Sequence, residues 1–496
     1  MHDHEKSDRP VLPAKPPNKL GEPGAEVVEG RGLPEGNTAS ETRPGRSAGQ
    51  DVSSDLDRVR QAARKDKDVR FTALLHHVSV DRLREAFRAI SPGAAAGVDG
   101  VTWRDYGLDL EGNLQDLHAR VHRGAYRARP TRRVFIPKAD GRLRPLGVAA
   151  LEDKILQRAV VEVLNAVYEQ DFLGFSYGFR PGRSQHDALD ALAVGITRKK
   201  VNFVLDADIS DFFSQLDQGW LERFLEHRIA DKRVLRLIQK WLRAGVIEDG
   251  EWSSTEDGTA QGASVSPLLS NVYLHYVFDL WADQWRRRHA RGDVILTRFA
   301  DDYVAGFEHR EDAERFLADL RDRFAGFGLK LHPGKTRLIE FGRFAAGNRA
   351  RCGDRKPETF EFLGLTHICA KDRHGRFKLK RVTSKKKMRA KLHAVKTEMR
   401  RRMHHPIPEQ GRWLARVLQG HYNYYAVPDN SEALHAFREQ VNRHWRQTLR
   451  RRSQKAAASW DQTRHLAARW LPQPRILHPW PGRRFDARTQ GRSPVR

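Results

Sequence analysis

Two short acidic clusters could carry chemistry in this chain. The first is Val204-Leu-Asp-Ala-Asp-Ile-Ser-Asp-Phe-Phe213 and the second is Arg298-Phe-Ala-Asp-Asp-Tyr-Val304. Each stands at the edge of an apolar strand-like stretch, where neighbouring carboxylates repel one another and lose hydration. A bound dication offsets both costs, and Mg2+ prefers oxygen ligands. Two such ions about 3.5–4 Å apart can activate a 3′-hydroxyl and stabilise a leaving pyrophosphate. That chemistry requires carboxylates from two neighbouring strands to converge. The plainer alternative is an ordinary Asp-Asp turn, and one cluster alone does not separate the two. Two clusters in order, with the Gly-rich Gly258-Thr-Ala-Gln-Gly262 between them, favour the metal. Asp206 and Asp208 are two residues apart and share one strand face, so both compete with Asp211 for the role of ligand.

The surrounding pattern supplies elements to hold these groups. Val201–Leu205 and Val294–Phe299 read as short buried strands, and Glu152–Gln170 as an amphipathic helix. Leu56–Ile90 has a helical apolar stripe, and Ser91-Pro-Gly-Ala-Ala-Ala-Gly-Val-Asp-Gly100 is turn-rich. Residues 1–54, rich in Pro, Gly, Glu and Ser, are expected to be a disordered leader. From Lys371 the chain is basic and helical. Met388, Leu392, Val395 and Met399 recur at helical spacing among Lys385, Lys386, Lys387, Arg389 and Lys391, so one face can pack while the other meets phosphate or only water.

Charge points to a polyanionic partner. There are 89 Lys plus Arg against 63 Asp plus Glu, a formal net charge of +26, and basic side chains gain affinity by releasing phosphate counterions. No apolar run is long enough to span a bilayer and no secretory pattern opens the chain, so a soluble intracellular protein without a membrane partner is expected. Cys352 and Cys369 are the only cysteines, which excludes a disulfide framework and any Cys-pair zinc site. The adjacent pairs His76–His77 and His404–His405 point apart and make poor metal sites.

The motifs resemble those of group II intron reverse transcriptase/maturases. Phe299-Ala-Asp-Asp302 is similar to their Tyr/Phe-x-Asp-Asp turn, and Gly258-Thr-Ala-Gln-Gly-Ala-Ser-Val-Ser-Pro-Leu-Leu-Ser-Asn271 to their nucleotide-site motif. Further matches follow in family order: Gly97-Val-Asp-Gly100, Ile136-Pro-Lys-Ala-Asp-Gly-Arg-Leu-Arg-Pro-Leu-Gly147, Gly174-Phe-Ser-Tyr-Gly-Phe-Arg-Pro-Gly182, Gly328-Leu-Lys-Leu-His-Pro-Gly-Lys-Thr336 and Phe360-Glu-Phe-Leu-Gly364. The resemblance covers roughly residues 56–480. It implies an α/β right-hand polymerase, with an antiparallel palm sheet at 201–370, helical fingers and an N-terminal extension at 55–200, a helical thumb/maturase region at 371–455 and a basic tail at 456–496.

The same resemblance implies the roles. Asp208 is the aspartate followed five positions later by an aromatic, so Asp208, Ile209 beside it, Asp301 and Asp302 are the expected ligands of two Mg2+ ions, with Mn2+ as a substitute. Asp206 and Asp211 are then supporting or surface groups. Phe213 would lie under the sugar and exclude a 2′-hydroxyl, or else be an ordinary core aromatic. Gln261 and Gly262 would meet base and sugar, Lys138 and Arg144 the triphosphate, and Lys335 the leaving pyrophosphate.

Gln419-Gly-His-Tyr-Asn-Tyr-Tyr-Ala426 is similar to the maturase motif. Tyr422, Tyr424 and Tyr425 could stack on bases at about 1–3 kcal/mol each, or pack inside helices. The implied partners are the structured intron RNA, an RNA template with a DNA primer, dNTPs and target DNA, in a bacterial cytoplasm. Monomer and homodimer stay open. The segment after Trp460 has no Cys pairs, and no endonuclease is expected there. Two departures stand out: Asp208-Ile-Ser-Asp211 lacks the family's cation and Gly, and Gly258-Thr-Ala-Gln-Gly262 lacks its Pro. A splicing factor that has lost polymerisation, and a relative recruited to host defence, are the competing readings.

Overall fold

Two of the predicted apolar segments, around Val201–Leu205 and Val294–Phe299, form strands of the sheet that carries the aspartates. The computed structural model describes residues 49–137, 143–248, 251–253, 258, 262–353, 356–452 and 459–489. The expectations for residues 1–48, Lys138 and Gln261 lie outside them. In chain order the strands are β1 (Thr131–Pro137), β2 (Leu143–Val148), β3 (Phe203–Asp208), β4 (Val246–Glu248), β5 (Glu251–Ser253), β6 (Val294–Phe299), β7 (Asp302–Phe307), β8 (Arg337–Glu340), β9 (Phe360–Phe362), β10 (Leu365–Lys371) and β11 (Phe377–Thr383).

The central sheet has the order β6-β7-β3-β8 and is antiparallel throughout. Its two faces bury different rows, as a period of two requires. Leu205, Ala207, Leu296, Tyr303 and Ala305 pack with Phe316, Leu320 and Phe324 of helix Arg310–Ala325. Val204, Ile295, Val304 and Ile339 pack with Leu189, Leu192 and Ile196 of helix Gln185–Arg198. The carboxylates at Asp206 and Asp208 fall in the second row. A four-stranded sheet runs β2-β1-β4-β5, joining strands from the segment expected to be fingers with two from the segment expected to be palm, and β11-β10-β9 form a small antiparallel sheet. Helix Leu151–Asp171 is the predicted amphipathic helix and buries residues along most of its length. The mixed helix-and-sheet architecture with an antiparallel centre agrees with the expected α/β class.

Three boundaries differ from the sequence reading, one of them at Lys371, where β10 and β11 form a hairpin before the first helix begins at Lys385. Helix Gly49–Lys65 begins inside the last residues assigned to the leader. The basic tail assigned to 456–496 contains helices Trp460–Trp470 and Pro481–Thr489. The second of these lies on the Gln185–Arg198 helix: Phe485 joins that core, and the buried Asp190 takes Arg381 at 2.9 Å and Arg484 at 2.5 Å. Arginines that composition would give to nucleic acid are used here to tie the C-terminal segment to the Gln185–Arg198 helix.

Helices Lys385–Arg401, Ile407–Tyr425 and Ser431–Arg450 bury Val395, Met399, Leu414, Leu418, Phe437, Val441 and Trp445 between them. Among the described residues no helix is long and apolar enough to cross a membrane.

Buried histidines give the fold a pH dependence. Burial lowers His275 to about 4, His367 to about 3 and His421 to about 4. Folded values below the unfolded value of about 6.5 mean that stability is present above pH 6.5 and is lost as pH falls toward the folded values. Each group contributes at most about 1.4 kcal/mol per pH unit. Burial pushes Asp153 and Asp206 up to about 6, which opposes the trend below that pH. Melting temperature is expected to fall from pH 7 to pH 5. His367→Phe, which keeps the ring stacked 4.6 Å from Phe360, should flatten the slope; a slope equal to wild type would refute this assignment.

Candidate active site

Strand register brings the two acidic clusters together. Asp208, the last residue of β3, is the direct ladder partner of Asp302, the first residue of β7. Directly opposed residues on antiparallel strands have Cα atoms about 4.5–5.5 Å apart. Phe299 pairs with Asp302 across the β6–β7 hairpin, so Ala300 and Asp301 form a two-residue turn. A positive φ at the first central position suits the strand twist, and Ala300 has φ +56°. Asp208, Asp301 and Asp302 are all partly exposed at this one end of the sheet.

Around Asp208 the backbone is tied to the following loop. His332 N–H donates to the Asp208 carbonyl at 2.8 Å, Ser210 N–H donates to that of Lys330 at 2.9 Å, and Ile209 bridges to Leu331. Lys335 is thereby delivered to the site, where its ammonium donates to the Asp208 carboxylate. The family's missing Gly has a structural counterpart: Asp211 occupies the left-handed region at φ +37°, a conformation Asp tolerates better than most non-Gly residues. Asp206 stays half-buried beside Arg337 at 3.5 Å. Burial is the larger influence and pushes its carboxyl up to about 6 against the pull of that guanidinium.

The residues expected to meet the nucleotide converge in part. Phe213 is half-buried in the short helix Phe212–Gln215, with its ring edge-to-face on Phe212 at 5.5 Å. Gly258 N–H donates to the Leu216 carbonyl at 2.8 Å, which places Gly258 beside that helix. Gly262, at φ +113°, lies so close to β2 that a Cβ would come within 2.9 Å of the Gly147 carbonyl. Arg144 is on the same strand, half-buried and paired with Ile136 in the fingers hairpin.

The RNA-binding expectations divide. Lys385, Lys386, Lys387, Arg389 and Lys391 are all exposed on helix Lys385–Arg401. Tyr422 is a correction: it is 2% exposed and its hydroxyl donates to the Pro472 carbonyl at 3.2 Å, so no ring face is open to a base. Tyr424 donates to the Leu363 carbonyl at 2.6 Å, and Tyr425 packs against two core clusters. Helix spacing put the tyrosines on adjacent faces, but the β9–β10 turn and the C-terminal segment cover those faces.

Whether this site suits a dication rests on its donors. Hard carboxylate oxygens at paired ladder positions, with a cation already drawn to one of them, fit Mg2+ chemistry. Among the described residues no three Asp, Glu, His or Cys side chains are gathered as a ready-made metal cage. Mutual repulsion opposes such a cage, and Asp208 faces Lys335.

Residues 136–367 match the family model described as reverse transcriptase (RNA-dependent DNA polymerase). Protein YkfC of Escherichia coli K12 is 33% identical over 312 residues, covering 56% of this chain and 81% of YkfC. The group II intron-encoded protein LtrA of Lactococcus lactis subsp. cremoris is 31% identical over 222 residues, covering 44% of this chain and 37% of LtrA. The chain belongs to the group II intron reverse transcriptase/maturase family. A plant relative, nuclear intron maturase 2 of Arabidopsis thaliana, is 30% identical over 111 residues, covering 21% of this chain and 15% of that protein. The chain therefore spans most of YkfC but well under half of LtrA. The matched region runs from the fingers hairpin to β10 and includes both acidic clusters.

One group in this reverse transcriptase fold was passed over in the sequence reading. Arg298 stands in the second acidic cluster and is 1% exposed. An arginine inside an apolar strand must find buried acceptors, and that was the available signal.

Proposed function

We propose that the chain is an RNA-directed DNA polymerase and a maturase that assists splicing and mobility of a group II intron. One observation carries the polymerase reading: Asp208 stands across the ladder from Asp302, with Asp301 in the connecting turn. Asp208, Asp301 and Asp302, with the main chain at Ile209, would hold two Mg2+ ions, or Mn2+ in their place. When bound, the ions supply Lewis acidity to the attacking hydroxyl and the leaving pyrophosphate.

The chain's own residues bind and orient. Lys335 brings positive charge to Asp208 and to the phosphates beyond it, with Arg144 and Lys138 reaching the triphosphate from the fingers. Gln261 and Gly262 contact base and sugar. Phe213 limits the space at the sugar, so Phe213→Ala should raise ribonucleotide incorporation roughly 10²-fold relative to dNTPs. Single-nucleotide extension with each nucleotide class measures this, and unchanged discrimination would make Phe213 a core residue only.

The partners are the intron RNA, an RNA template with a DNA primer, dNTPs and target DNA, in a bacterial cytoplasm. Lys385, Lys386 and Lys387 support the RNA assignment by their position. They add positive charge at a helix N-terminus whose first turn has no acidic residue, the reverse of what helix stability prefers. A phosphate there would satisfy both the lysines and the helix end. The test of the whole reading is primer extension on an RNA template with Mg2+. RNA binding without extension would leave a splicing factor that has lost polymerisation.

A further inference from the structure

We propose that Arg298 is the positioning residue of the aspartate turn, acting from the sheet face opposite the metal ligands. The inference rests on the polymerase reading and adds a part to it. Strand alternation sets the geometry. Phe299 is the ladder partner of Asp302, so Arg298, one residue earlier, points to the other side of β6.

There its guanidinium uses all five of its donors. Nε and Nη2 grip the two Asp279 oxygens at 2.7 and 2.5 Å, and Nη2 also reaches Ser176 Oγ at 2.7 Å. Nη1 donates to Asn271 Oδ1 and to the Ala300 carbonyl, both at 3.0 Å. The last bond decides the role, because the Ala300 carbonyl belongs to the peptide that leads into Asp301. Arg298 thus holds the turn itself, at the residue whose φ of +56° is the costly one.

The acceptors come from three separate segments, which makes the group a hub. Asp279 ends a π-helical turn, His275–Asp279, between helices Ser266–Leu274 and Leu280–Arg288. Such turns re-aim side chains within a helix. Asn271 uses its amide to donate to the Gly178 carbonyl at 2.7 Å. Ser176 and Gly178 lie in the Gly174–Gly182 segment, which also exchanges backbone hydrogen bonds with Arg298 on both sides, at 2.9 Å each. Gly178 presses on the turn so closely that a Cβ would meet the Ala300 nitrogen at 2.2 Å. Arg298, Asp279, Asn271 and Ser176 are each at most 1% exposed. A buried, fully bonded ion pair of this kind fixes one geometry more than it adds stability. The carboxylates it fixes are those whose misplacement by about 1 Å would cost roughly 10²-fold in rate.

The test uses the full chain with Arg298→Lys and Asn271→Ala, and three readouts. Mn2+ affinity is followed by EPR titration, with Asp301→Ala plus Asp302→Ala marking the site-specific component. Single-nucleotide extension separates kcat from KM, and thermal melting reports folding. Arg298→Lys is expected to weaken site-specific Mn2+ binding about tenfold and lower kcat about 10²-fold, with KM for dNTP and primer–template affinity within about twofold. Asn271→Ala should shift the same quantities in the same direction by less. If Arg298→Lys does not fold, Asn271→Ala carries the test, since it removes one acceptor and leaves the Asp279 pair. Folded variants with wild-type Mn2+ affinity overturn the proposal whether or not primers are extended. Wild-type protein that binds Mn2+ at the site but extends no primer ends the polymerase reading, while the titration still decides the role of Arg298.

Discussion

Replacing Asp301 and Asp302 together by alanine should abolish primer extension on an RNA template, a loss of at least about 10³-fold, or roughly 4 kcal/mol of transition-state stabilisation. The turn supplies two of the three carboxylates at the end of the sheet, and Asp208 with Ile209 cannot by themselves hold two dications. Fold stability should not fall with activity. Both aspartates are partly exposed at a hairpin turn, and Asp302 faces the like charge of Asp208. Removing them relieves repulsion, so the melting temperature is expected to stay level or rise. Intron RNA binding, which depends on the basic helix, should persist. Extension by the double variant equal to wild type would refute the catalytic assignment of the turn.

Lys385→Ala, Lys386→Ala and Lys387→Ala combined should weaken RNA binding by about 10²–10³-fold near 0.1 M salt, because three phosphate contacts release about 0.7–0.9 counterion each. The slope of log affinity against log salt should flatten by about 2–3. The three side chains are exposed at the start of helix Lys385–Arg401 while Val395 and Met399 hold its other face in a helical core. The substitutions therefore leave the packing alone. They also remove positive charge from the positive end of a helix dipole, so the folded state should gain a few tenths of a kcal/mol. Binding lost while stability is kept is the signature of an interface. Filter or fluorescence binding at several salt concentrations measures it, and an unchanged slope would put the RNA elsewhere.

The two predictions differ in what made them readable. The aspartates were legible locally, because two carboxylate clusters in order beside the apolar residues of β3 and β6, with a Gly-rich stretch between them, favour a bound dication over ordinary turns. Strand period then allowed Asp206 and Asp208 on one face, and the family spacing singled out Asp208. The ladder supplied the missing fact, that Asp208 is the partner of Asp302. The lysines were visible as charge at helical spacing, but only packing distinguished the face that meets solvent.

Amino-acid order by itself determined the elements and the chemistry they could carry: the apolar strands, the amphipathic helix, the paired carboxylates, the Gly-rich loop between them and the excess of cations. Those are local properties of period and residue type. Tertiary structure decided the pairings between residues far apart in the chain. Asp190 is joined to Arg381 and Arg484, Asp208 to Lys335, and Arg298 to Asp279, Asn271 and Ser176. It also turned Tyr422 inward and docked the C-terminal arginines on the Gln185–Arg198 helix. The physical reason is that a charge or a hydroxyl looks alike in sequence whether water or a buried partner satisfies it. Which of the two does so depends on what the rest of the chain packs against it.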